Sequence, residues 1–300
     1  ATPNTMGDDL AVLNVGGTAV EISGGGGWAF FCARISDGRV ICWGNAEYGK
    51  TGQGDTSEGY VADNSFLDLG TNLTAKKVVA GDQHACVIIE DSTDTYDDYV
   101  KCWGRGSSGQ LINGSSDTIG DGPGEMGDNL AFADFGAGRT AKDISLGDAS
   151  TCILMDNDQV KCFGSASNKR LGQSSSNLGN TAGTIGDNVT ALDFGSGITV
   201  KSITTRRAYS CALLSNDRVK CWGYSLSGAA GNGTQYVTDA VYIELGVDGS
   251  SDPLLVSKVV AGSYYSTCAI LQNNDLKCWG NNDQGQAGQG HDTNITSGLM

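Results

Sequence analysis

Short, almost continuously apolar stretches recur along the chain, and each is followed by a turn-forming tip and a second stretch. The first stretches include CVIIE, CILMD, CALLS and CAILQ, which begin at Cys86, Cys152, Cys211 and Cys268. Apolar runs of this length are typical of strands covered on both faces. The tips SDG, DND, SND and NND favour turns, and the return stretches read RVICWG, YVKCWG, QVKCFG, RVKCWG and DLKCWG. The pattern therefore predicts one β-hairpin in each repeat.

Each predicted hairpin has one cysteine on either arm, and all ten cysteines are used. The pairs are Cys32 with Cys42, Cys86 with Cys102, Cys152 with Cys162, Cys211 with Cys221, and Cys268 with Cys278. Positions 152 and 162 are equidistant from Asn157, so a hairpin centred there places them opposite each other at a separation that a disulfide accepts. We expect five disulfides within hairpins. Five pairs of buried reduced cysteines, acting as small apolar residues, are the alternative.

The hairpins belong to a longer repeat. The first cysteines are separated by 54, 66, 59 and 57 residues. Each unit also contains an aspartate-led strand, such as GDNLAFADFG from Gly127, and a short apolar strand, such as VSKVVAG ending at Gly262. Four short strands in about sixty residues predict a β-propeller, because one sheet buries both faces only between neighbours. A β-sandwich of hairpins does not explain the constant length of the unit.

We therefore expect an all-β chain that forms a single β-propeller domain over residues 1–300, with about five four-stranded blades. The repeat units are predicted at approximately 7–61, 62–126, 127–185, 186–237 and 238–300. An aspartate-led strand, DLAVLNV at residues 9–15, precedes the first hairpin, and the fifth hairpin has none after it. Because an unpaired sheet edge is a liability, we expect residues 9–15 to complete the final blade. Closure within one chain is preferred, and strand donation between chains is the alternative.

The segments after the return strands resemble a known repeat family. WGNAEYGKTGQG at residues 43–54 and WGNNDQGQAGQG at residues 279–290 look like the W-G-x-N-x-x-G-Q-L-G-x-G signature of the regulator of chromosome condensation repeat. VVAGDQHACVI resembles the V-x-A-G-x-x-H-T-x-A-L segment of the same family. The resemblance covers essentially the whole chain and implies a propeller. Phe163 replaces the signature tryptophan in the third unit. Propellers of this family usually have seven blades, whereas this chain contains five units.

Charge and composition exclude several classes of function. The chain has 19 basic and 34 acidic residues, a net charge of −15, which disfavours binding to nucleic acid. It also disfavours the founding activity that the resemblance implies, nucleotide exchange on a small nuclear GTPase with chromatin docking. No 18-residue apolar run is present, so we expect no membrane insertion. The start, ATPNTMGDDL, lacks the pattern of a signal peptide and is interpreted as a mature or trimmed terminus.

Two features favour a secreted or extracellular location. Paired cysteines are typical of oxidising compartments. Five sequons for N-linked glycans accompany them, at Asn72, Asn113, Asn188, Asn232 and Asn294. Asn113 and Asn232 lie in glycine-rich loops after return strands, where an acceptor is expected to be exposed.

No motif for catalysis or for a cofactor is present, so we expect neither an enzyme nor a bound cofactor. Zinc ligation is disfavoured because the tight cysteine spacings are absent and the histidines are only His84 and His291. The predicted hairpin tip EDSTDTYDDY at residues 90–99 has the carboxylates for calcium, at Asp91, Asp94, Asp97 and Asp98. It lacks the calcium-loop spacing and glycine, so a solvated acidic loop is the favoured interpretation.

The functions that remain are recognition of a partner and assembly into a larger structure. The loops before each first cysteine vary between repeats and contain residue types that form binding hot spots. The candidate contacts are Trp28, His84, Arg206, Arg207, Tyr209, Tyr264 and Tyr265, with ordinary exposed loop residues as the alternative. The four tryptophans in CWG are predicted to pack between blades. We expect an extracellular module that binds a protein partner, or a structural subunit of a glycosylated filament or wall that assembles by strand donation or propeller stacking.

Overall fold

The structure, a computed structural model, describes residues 10–25, 29–56, 65–231, 235–262 and 264–296. The strands in these residues are β1 (Ala19–Gly24), β2 (Phe30–Ile35), β3 (Val40–Gly44), β4 (Leu73–Ala80), β5 (His84–Asp91), β6 (Val100–Gly104), β7 (Ala141–Leu146), β8 (Ser150–Met155), β9 (Val160–Gly164), β10 (Val200–Arg206), β11 (Tyr209–Leu214), β12 (Val219–Tyr224), β13 (Tyr236–Tyr242), β14 (Val256–Ala261), β15 (Ser266–Leu271) and β16 (Leu276–Gly280). Single 3₁₀ turns occupy Glu47–Gly49, Gly127–Asn129, Ser167–Lys169, Ala182–Thr184, Gly186–Asn188 and Leu226–Gly228. None of the helical segments in the described residues has the length and apolar character needed to cross a bilayer.

The strands form five antiparallel sheets, as expected for an all-β chain. Their orders are β1-β2-β3, β4-β5-β6, β7-β8-β9, β10-β11-β12-β13 and β14-β15-β16. The first strand of each sheet has a β-bulge at the same place in the repeat, where its pairing register with the second strand shifts. Each sheet is therefore one copy of the same unit, and the hairpin lies on its second and third strands.

The cysteines confirm the predicted hairpin register. In every hairpin the two cysteines are directly opposite each other, as with Cys152 and Cys162 on β8 and β9. The five disulfides join the predicted pairs, with Cα atoms 4.0 to 4.1 Å apart. None of the ten cysteines is free. Each bond therefore links the two central strands of one sheet.

The aspartate-led segments differ from the predicted four-stranded blades. Only the segment of the fourth sheet is a regular strand, β13, and the other described sheets have three strands. The segment joins the return strand of the preceding repeat, because Leu67 N donates to Val40 O at 2.8 Å and Leu192 N donates to Val160 O at 2.8 Å. A blade thus crosses the boundary between two sequence units. One main-chain bond at this point is too little to define a full strand.

Neighbouring sheets share their hydrophobic cores. Three large clusters of buried side chains each join consecutive sheets, from the first to the fifth. Three of the four CWG tryptophans cross these boundaries as predicted, whereas Trp43 stacks on Phe31 of its own sheet at 6.0 Å. Trp103 Nε1 donates to Lys50 O at 3.0 Å, Trp222 to Arg170 O at 3.1 Å and Trp279 to Ala229 O at 3.0 Å. The first strands of all five sheets line a common central cavity of about 340 Å³.

The expected completion of the final blade is not present within the described part of the chain. Position 9 of the predicted strand lies outside that part, and Val15 packs in a small cluster with Ala33, Ile35 and Ile41 of the first sheet. No strand pairing joins the first and fifth sheets among the described residues. Among the described residues, Val15 brings this segment against the first hairpin, and closure of the ring within one chain stays a prediction.

Candidate interaction surface

The loops before the first cysteines lie side by side on one end of the sheet array. Asp82 N donates to Gly147 O at 3.3 Å, and Asp148 N donates to Arg207 O at 3.0 Å. The side chain of Gln83 also reaches Asp148 Oδ1, at 3.4 Å. These bonds link the loops of the second, third and fourth sheets into one continuous band. The loops that precede the first cysteines of these three sheets therefore lie at a common end of the array.

Aromatic rings and one guanidinium are concentrated at the fourth and fifth sheets. The tyrosine surface, as we name it, consists of Arg207, Tyr224, Tyr236, Tyr264 and Tyr265. The Tyr224 ring lies 5.4 Å from that of Tyr236 and packs edge-on to Tyr265 at 5.1 Å. The Arg207 guanidinium lies 4.9 Å from the Tyr264 ring, a cation–π contact. Tyr264 is 63% exposed and Tyr236 is also exposed, so solvent reaches the outer part of this surface.

Three residues of this surface have left-handed backbone. Arg207, Tyr264 and Tyr265 have φ values of 48°, 62° and 62°, in the left-handed region that favours glycine and asparagine. A non-glycine residue there costs about 1–2 kcal/mol. Left-handed conformations of large side chains concentrate at functional sites, where the surrounding structure maintains them. Two consecutive tyrosines in this conformation direct attention to the turn between β14 and β15.

Two of the predicted contact residues are buried, and the prediction that they touch a partner is corrected. His84 Nε2 lies 2.7 Å from Thr151 Oγ1, and Tyr209 donates its hydroxyl proton to Ser266 O at 2.5 Å. Both side chains are fully buried between sheets. Burial lowers the pKa of His84 to about 3 and raises the pKa of Tyr209 well above its ordinary value. These residues join adjacent sheets.

The other predicted contacts have different positions. Arg206 lines the central cavity and is half-buried. Arg207, Tyr264 and Tyr265 come together in the tyrosine surface. Trp28 lies outside the described residues.

Sequence reasoning missed Tyr224 and Tyr236. Tyr224 directly follows the Trp-Gly pair of its hairpin, at the position that Asn45, Arg105, Ser165 and Asn281 hold after the Trp-Gly or Phe-Gly pairs of the other units. That difference between repeats is the signal that could have identified it. Tyr236 becomes its neighbour only through the pairing of β12 with β13. No local sequence pattern predicts the pairing of β12 with β13, because the aspartate-led segments of the other repeats do not form regular strands.

The carboxylates of the acidic hairpin tip form hydrogen bonds and ion pairs with nearby residues of the same sheet. Asp91 accepts hydrogen bonds from the backbone N–H groups of Thr93, Thr95 and Tyr96, and these bonds, with Thr93 foremost, lower the pKa of Asp91. Lys76 forms ion pairs with Asp97 and with Asp98. Within the described ranges, no group of three or more histidine, cysteine and acidic residues has an arrangement that would hold a metal ion.

The predicted glycan acceptors differ in accessibility. Asn72 and Asn188 are exposed, and Asn113 is half-buried. The side chain of Asn294 is engaged on both atoms: Oδ1 accepts from Asn282 N at 2.8 Å, and Nδ2 donates to Ser227 Oγ at 3.0 Å. Asn232 lies outside the part of the chain that the structure describes.

Comparison with protein families gives a match to the Regulator of chromosome condensation (RCC1) repeat at residues 256–286. The human E3 ubiquitin-protein ligase HERC2 is 29% identical over 263 residues. That alignment covers 86% of this chain and 5% of HERC2, so the chain spans only a small part of this relative. The mouse HERC2 protein is similar to the chain over the same extent.

Solved structures show the same fold at low sequence identity. Human WBSCR16 superposes with a TM-score of 0.70 and 18% identity, over 92% of this chain and 65% of that one. Prp20p from Saccharomyces cerevisiae, described together with its binding properties to Gsp1p and histones, superposes with a TM-score of 0.53 and 14% identity, over 92% of this chain and 75% of that one. The class is therefore a propeller-like repeat protein with a disulfide in every hairpin. The resemblance that the sequence suggested is supported: the chain is similar to proteins built from RCC1 repeats, with the family match at residues 256–286.

Proposed function

We propose that the protein is a non-catalytic recognition module that acts outside the cell and binds a protein partner through the tyrosine surface. The observation that carries this proposal is the pair Tyr264 and Tyr265, held in left-handed backbone conformations with Tyr264 exposed beside Arg207. A turn selected for stability alone would use glycine or asparagine at these positions.

The chemistry of this surface suits a protein interface. Tyrosine and arginine are enriched among the residues that dominate binding energy, because each combines a large contact area with a polar group. The outer Tyr236 ring packs on Tyr224, and the outer Tyr264 ring packs under the Arg207 guanidinium, which restricts the motion of both rings before a partner arrives. A preordered contact loses less side-chain entropy on binding.

The extracellular assignment rests on the cysteines and the sequons. Five disulfides use every cysteine of the chain, and bonds of this kind persist in oxidising compartments. The exposed sequons at Asn72 and Asn188 are compatible with passage through the secretory pathway. Prp20p is described as binding Gsp1p and histones, which supports protein recognition as a use of this fold. The partner of this acidic chain is proposed to be a protein of the cell surface or of a secreted matrix.

A binding experiment with paired variants tests the proposal. The purified chain, biotinylated, is incubated with intact cells and with matrix from its source, and bound proteins are crosslinked and identified by mass spectrometry. We expect a protein retained by the wild type to be lost with Tyr264→Ala and with Arg207→Ala. Tyr96→Ala removes an exposed tyrosine from the acidic hairpin tip and is the matched control. Equal retention by all four proteins would contradict the proposal.

A structural role in an extracellular filament or wall is the second candidate function. A different observation favours it, the exposed apolar edge of the fifth sheet at Leu276.

A further inference from the structure

Hydroxyl groups link the first strands of neighbouring sheets around the central cavity. In three places a side-chain oxygen of one first strand accepts from a main-chain N–H of the next sheet. The three bonds are Ala80 N to Ser23 Oγ at 2.9 Å, Thr205 N to Ser145 Oγ at 2.7 Å and Ala261 N to Thr204 Oγ1 at 3.0 Å. Each acceptor residue stands opposite the first cysteine of its hairpin and lines the cavity. Because the oxygen accepts in this bond, the hydroxyl proton is available for donation into the cavity.

The boundary between the second and third sheets lacks this hydroxyl. Val79 holds the position there, so the N–H of Leu146, which is equivalent to the three donors, has no hydroxyl to bind. Gly147 N donates to Ser150 O at 2.8 Å, and N–H directions alternate along an antiparallel strand, so the N–H of Leu146 points away from β8. Leu146 is buried and lines the same cavity. An unpaired main-chain N–H at such a position is rare and favours a bound acceptor.

The cavity also contains a guanidinium, at a position where the other repeats have glycine. Arg206 ends β10, and the equivalent residues of the other sheets are Gly25, Gly81, Gly147 and Gly262. The Arg206 side chain is half-buried and forms no ion pair or hydrogen bond with the residues that the structure describes. The part of the lining that belongs to the described chain contains no aspartate or glutamate. The cavity is therefore cationic, in a chain whose net charge is −15.

Two carboxylates on the same face of these strands are already paired. Glu21 and Asp143 stand two residues before the hydroxyl positions of the first and third sheets, and side chains two residues apart share one face of a strand. Glu21 Oε2 accepts from Arg34 Nε at 3.1 Å, and Asp143 forms an ion pair with Lys77. The negative charge of each carboxylate is balanced locally, so the charge of Arg206 remains uncompensated.

We propose that the central cavity binds a tetrahedral oxyanion, the sulfate or phosphate group of a small ester, through Arg206 and the hydroxyls of Ser23, Ser145 and Thr204. Guanidinium, hydroxyl and main-chain N–H groups all donate to such oxyanions. The donors stand on different strands around the cavity, and a tetrahedral ester group presents three acceptor oxygens in different directions, whereas a carboxylate presents two in one plane.

The size of the cavity agrees with this ligand. Its volume of about 340 Å³ is roughly ten times the ~30 Å³ share of one water molecule, so the group fits together with waters that bridge to the farther donors. The cavity is a different site from the tyrosine surface, and the inference does not depend on the proposed recognition function.

Calorimetric titration of the whole chain tests the site with four probes at constant ionic strength. The probes are inorganic sulfate, glucose 6-sulfate, glucose 6-phosphate and glucuronate. We expect wild type to bind both esters saturably, and the tighter of the two shows which ester the site prefers. Glucuronate has a carboxylate on the same sugar and should bind at least about tenfold more weakly, because one charge-assisted hydrogen bond is missing.

Three variants locate the binding. Arg206→Gln should weaken ester binding by at least about tenfold, because the charge-assisted hydrogen bonds of the guanidinium are lost. Thr204→Val should weaken it about three- to tenfold, and the second and fifth sheets have valine at this position. Arg39→Gln removes one positive charge from an exposed hairpin turn, where Arg39 pairs with Asp37, and is the matched control. Thermal melts check folding, and Arg206→Gly, which has the residue type of the other sheets, replaces the glutamine variant should that variant unfold.

The outcomes decide between a specific site and a general effect of charge. Loss of ester binding with Arg206→Gln and none with Arg39→Gln supports the site. A wild type that binds no probe saturably overturns the proposal, as do equal losses for the two arginine variants, because the anion would then respond to net charge alone. Glucuronate bound as tightly as the esters overturns the tetrahedral class. Tyr264→Ala should keep wild-type ester binding whether or not it loses the protein partner, so failure of either proposal is measured separately.

Discussion

His84 and Thr151 join the second and third sheets through a buried bond whose direction is fixed. The Thr151 hydroxyl donates its single proton to Gln110 O at 2.8 Å, so it must accept from His84 Nε2–H at 2.7 Å. His84 Nδ1 is then the unprotonated nitrogen, and it is buried without a hydrogen-bond partner. The ring is therefore held neutral, in one tautomer, at a boundary between repeats.

This arrangement predicts a pH-dependent stability. Burial lowers the pKa of His84 to about 3 in the folded protein, below the value of 6.5 expected for an unfolded chain. Between these values the unfolded chain binds a proton that the folded chain does not, so stability is lost as the pH falls from 6.5 toward 3. Urea denaturation should show a steeper acid decline for wild type than for His84→Phe, by up to about 1.4 kcal/mol per pH unit. Phenylalanine is the residue that the first repeat has at this position, as Phe30.

His291→Gln removes the other histidine, at an exposed position, and serves as the matched control for the loss of one histidine. Parallel declines for wild type and His84→Phe would contradict the neutral buried histidine.

The glycine of each CWG motif is predicted to tolerate no side chain. Gly223 has a φ of +103°, and a methyl group placed on it would lie 2.4 Å from the carbonyl oxygen of Ala208. We expect Gly223→Ala to lower the free energy of unfolding by about 2–4 kcal/mol, measured by chemical denaturation. Gly197→Ala is the matched control, with a φ of +74° and no atom within 4 Å of the added methyl group. Its cost should be about 1 kcal/mol, from the backbone conformation alone. Equal costs at the two sites would exclude the steric explanation.

The two adjacent tyrosines of the tyrosine surface should respond differently to substitution. Tyr264→Asn removes an exposed ring and places a residue that tolerates left-handed backbone at φ 62°. The relief of strain should offset the lost Arg207 contact, leaving stability within about 0.5 kcal/mol of wild type. Tyr265→Asn should cost about 1–2 kcal/mol, because the Tyr265 ring packs against Tyr209 and Tyr224. Thermal and urea unfolding of both variants measure the difference. A larger loss for Tyr264→Asn than for Tyr265→Asn would reverse the assigned outer and inner roles.

The hairpins were predictable from the sequence because their geometry is local. Two cysteines equidistant from Asn157 can face each other only in one register, and β8 and β9 adopt it. The aspartate-led segments were less predictable, since Leu67 pairs with a strand of the preceding unit through a single bond. The tyrosine surface was only partly predictable. The sequence does not show which residues near the loops are buried. In particular, nothing in the sequence near His84 indicates that its hydrogen-bond partner, Thr151, lies in the next sheet.

The disulfide framework predicts a specific stability loss. Removing the bond between Cys152 and Cys162 by a double alanine substitution should cost roughly 2.7 kcal/mol in the chain-entropy account of a loop of about eleven residues. Guanidinium denaturation measures the difference. Alkylation of the untreated protein should label no cysteine, since all ten are paired. Labelling of several thiols, or peptides that link different hairpins, would contradict the assigned pairing.

The accessibility of the acceptor asparagines predicts which sequons carry glycans in natural material. Asn72 and Asn188 are exposed, so a glycan on either can extend into solvent, and at Asn188 it competes only with a long bond from Nδ2 to Ala182 O at 3.4 Å. A glycan on Asn294 Nδ2 would have to displace the bond from that atom to Ser227 Oγ, while the bond from Asn282 N to Oδ1 holds the side chain in place. We expect glycopeptide mass spectrometry to find sugars at Asn72 and Asn188 and an unmodified Asn294. An amidase specific for N-glycans should lower the intact mass accordingly. A glycan on Asn294 with the two exposed sites bare would contradict the structural argument, and no glycan at any site would remove one of the two supports for secretion.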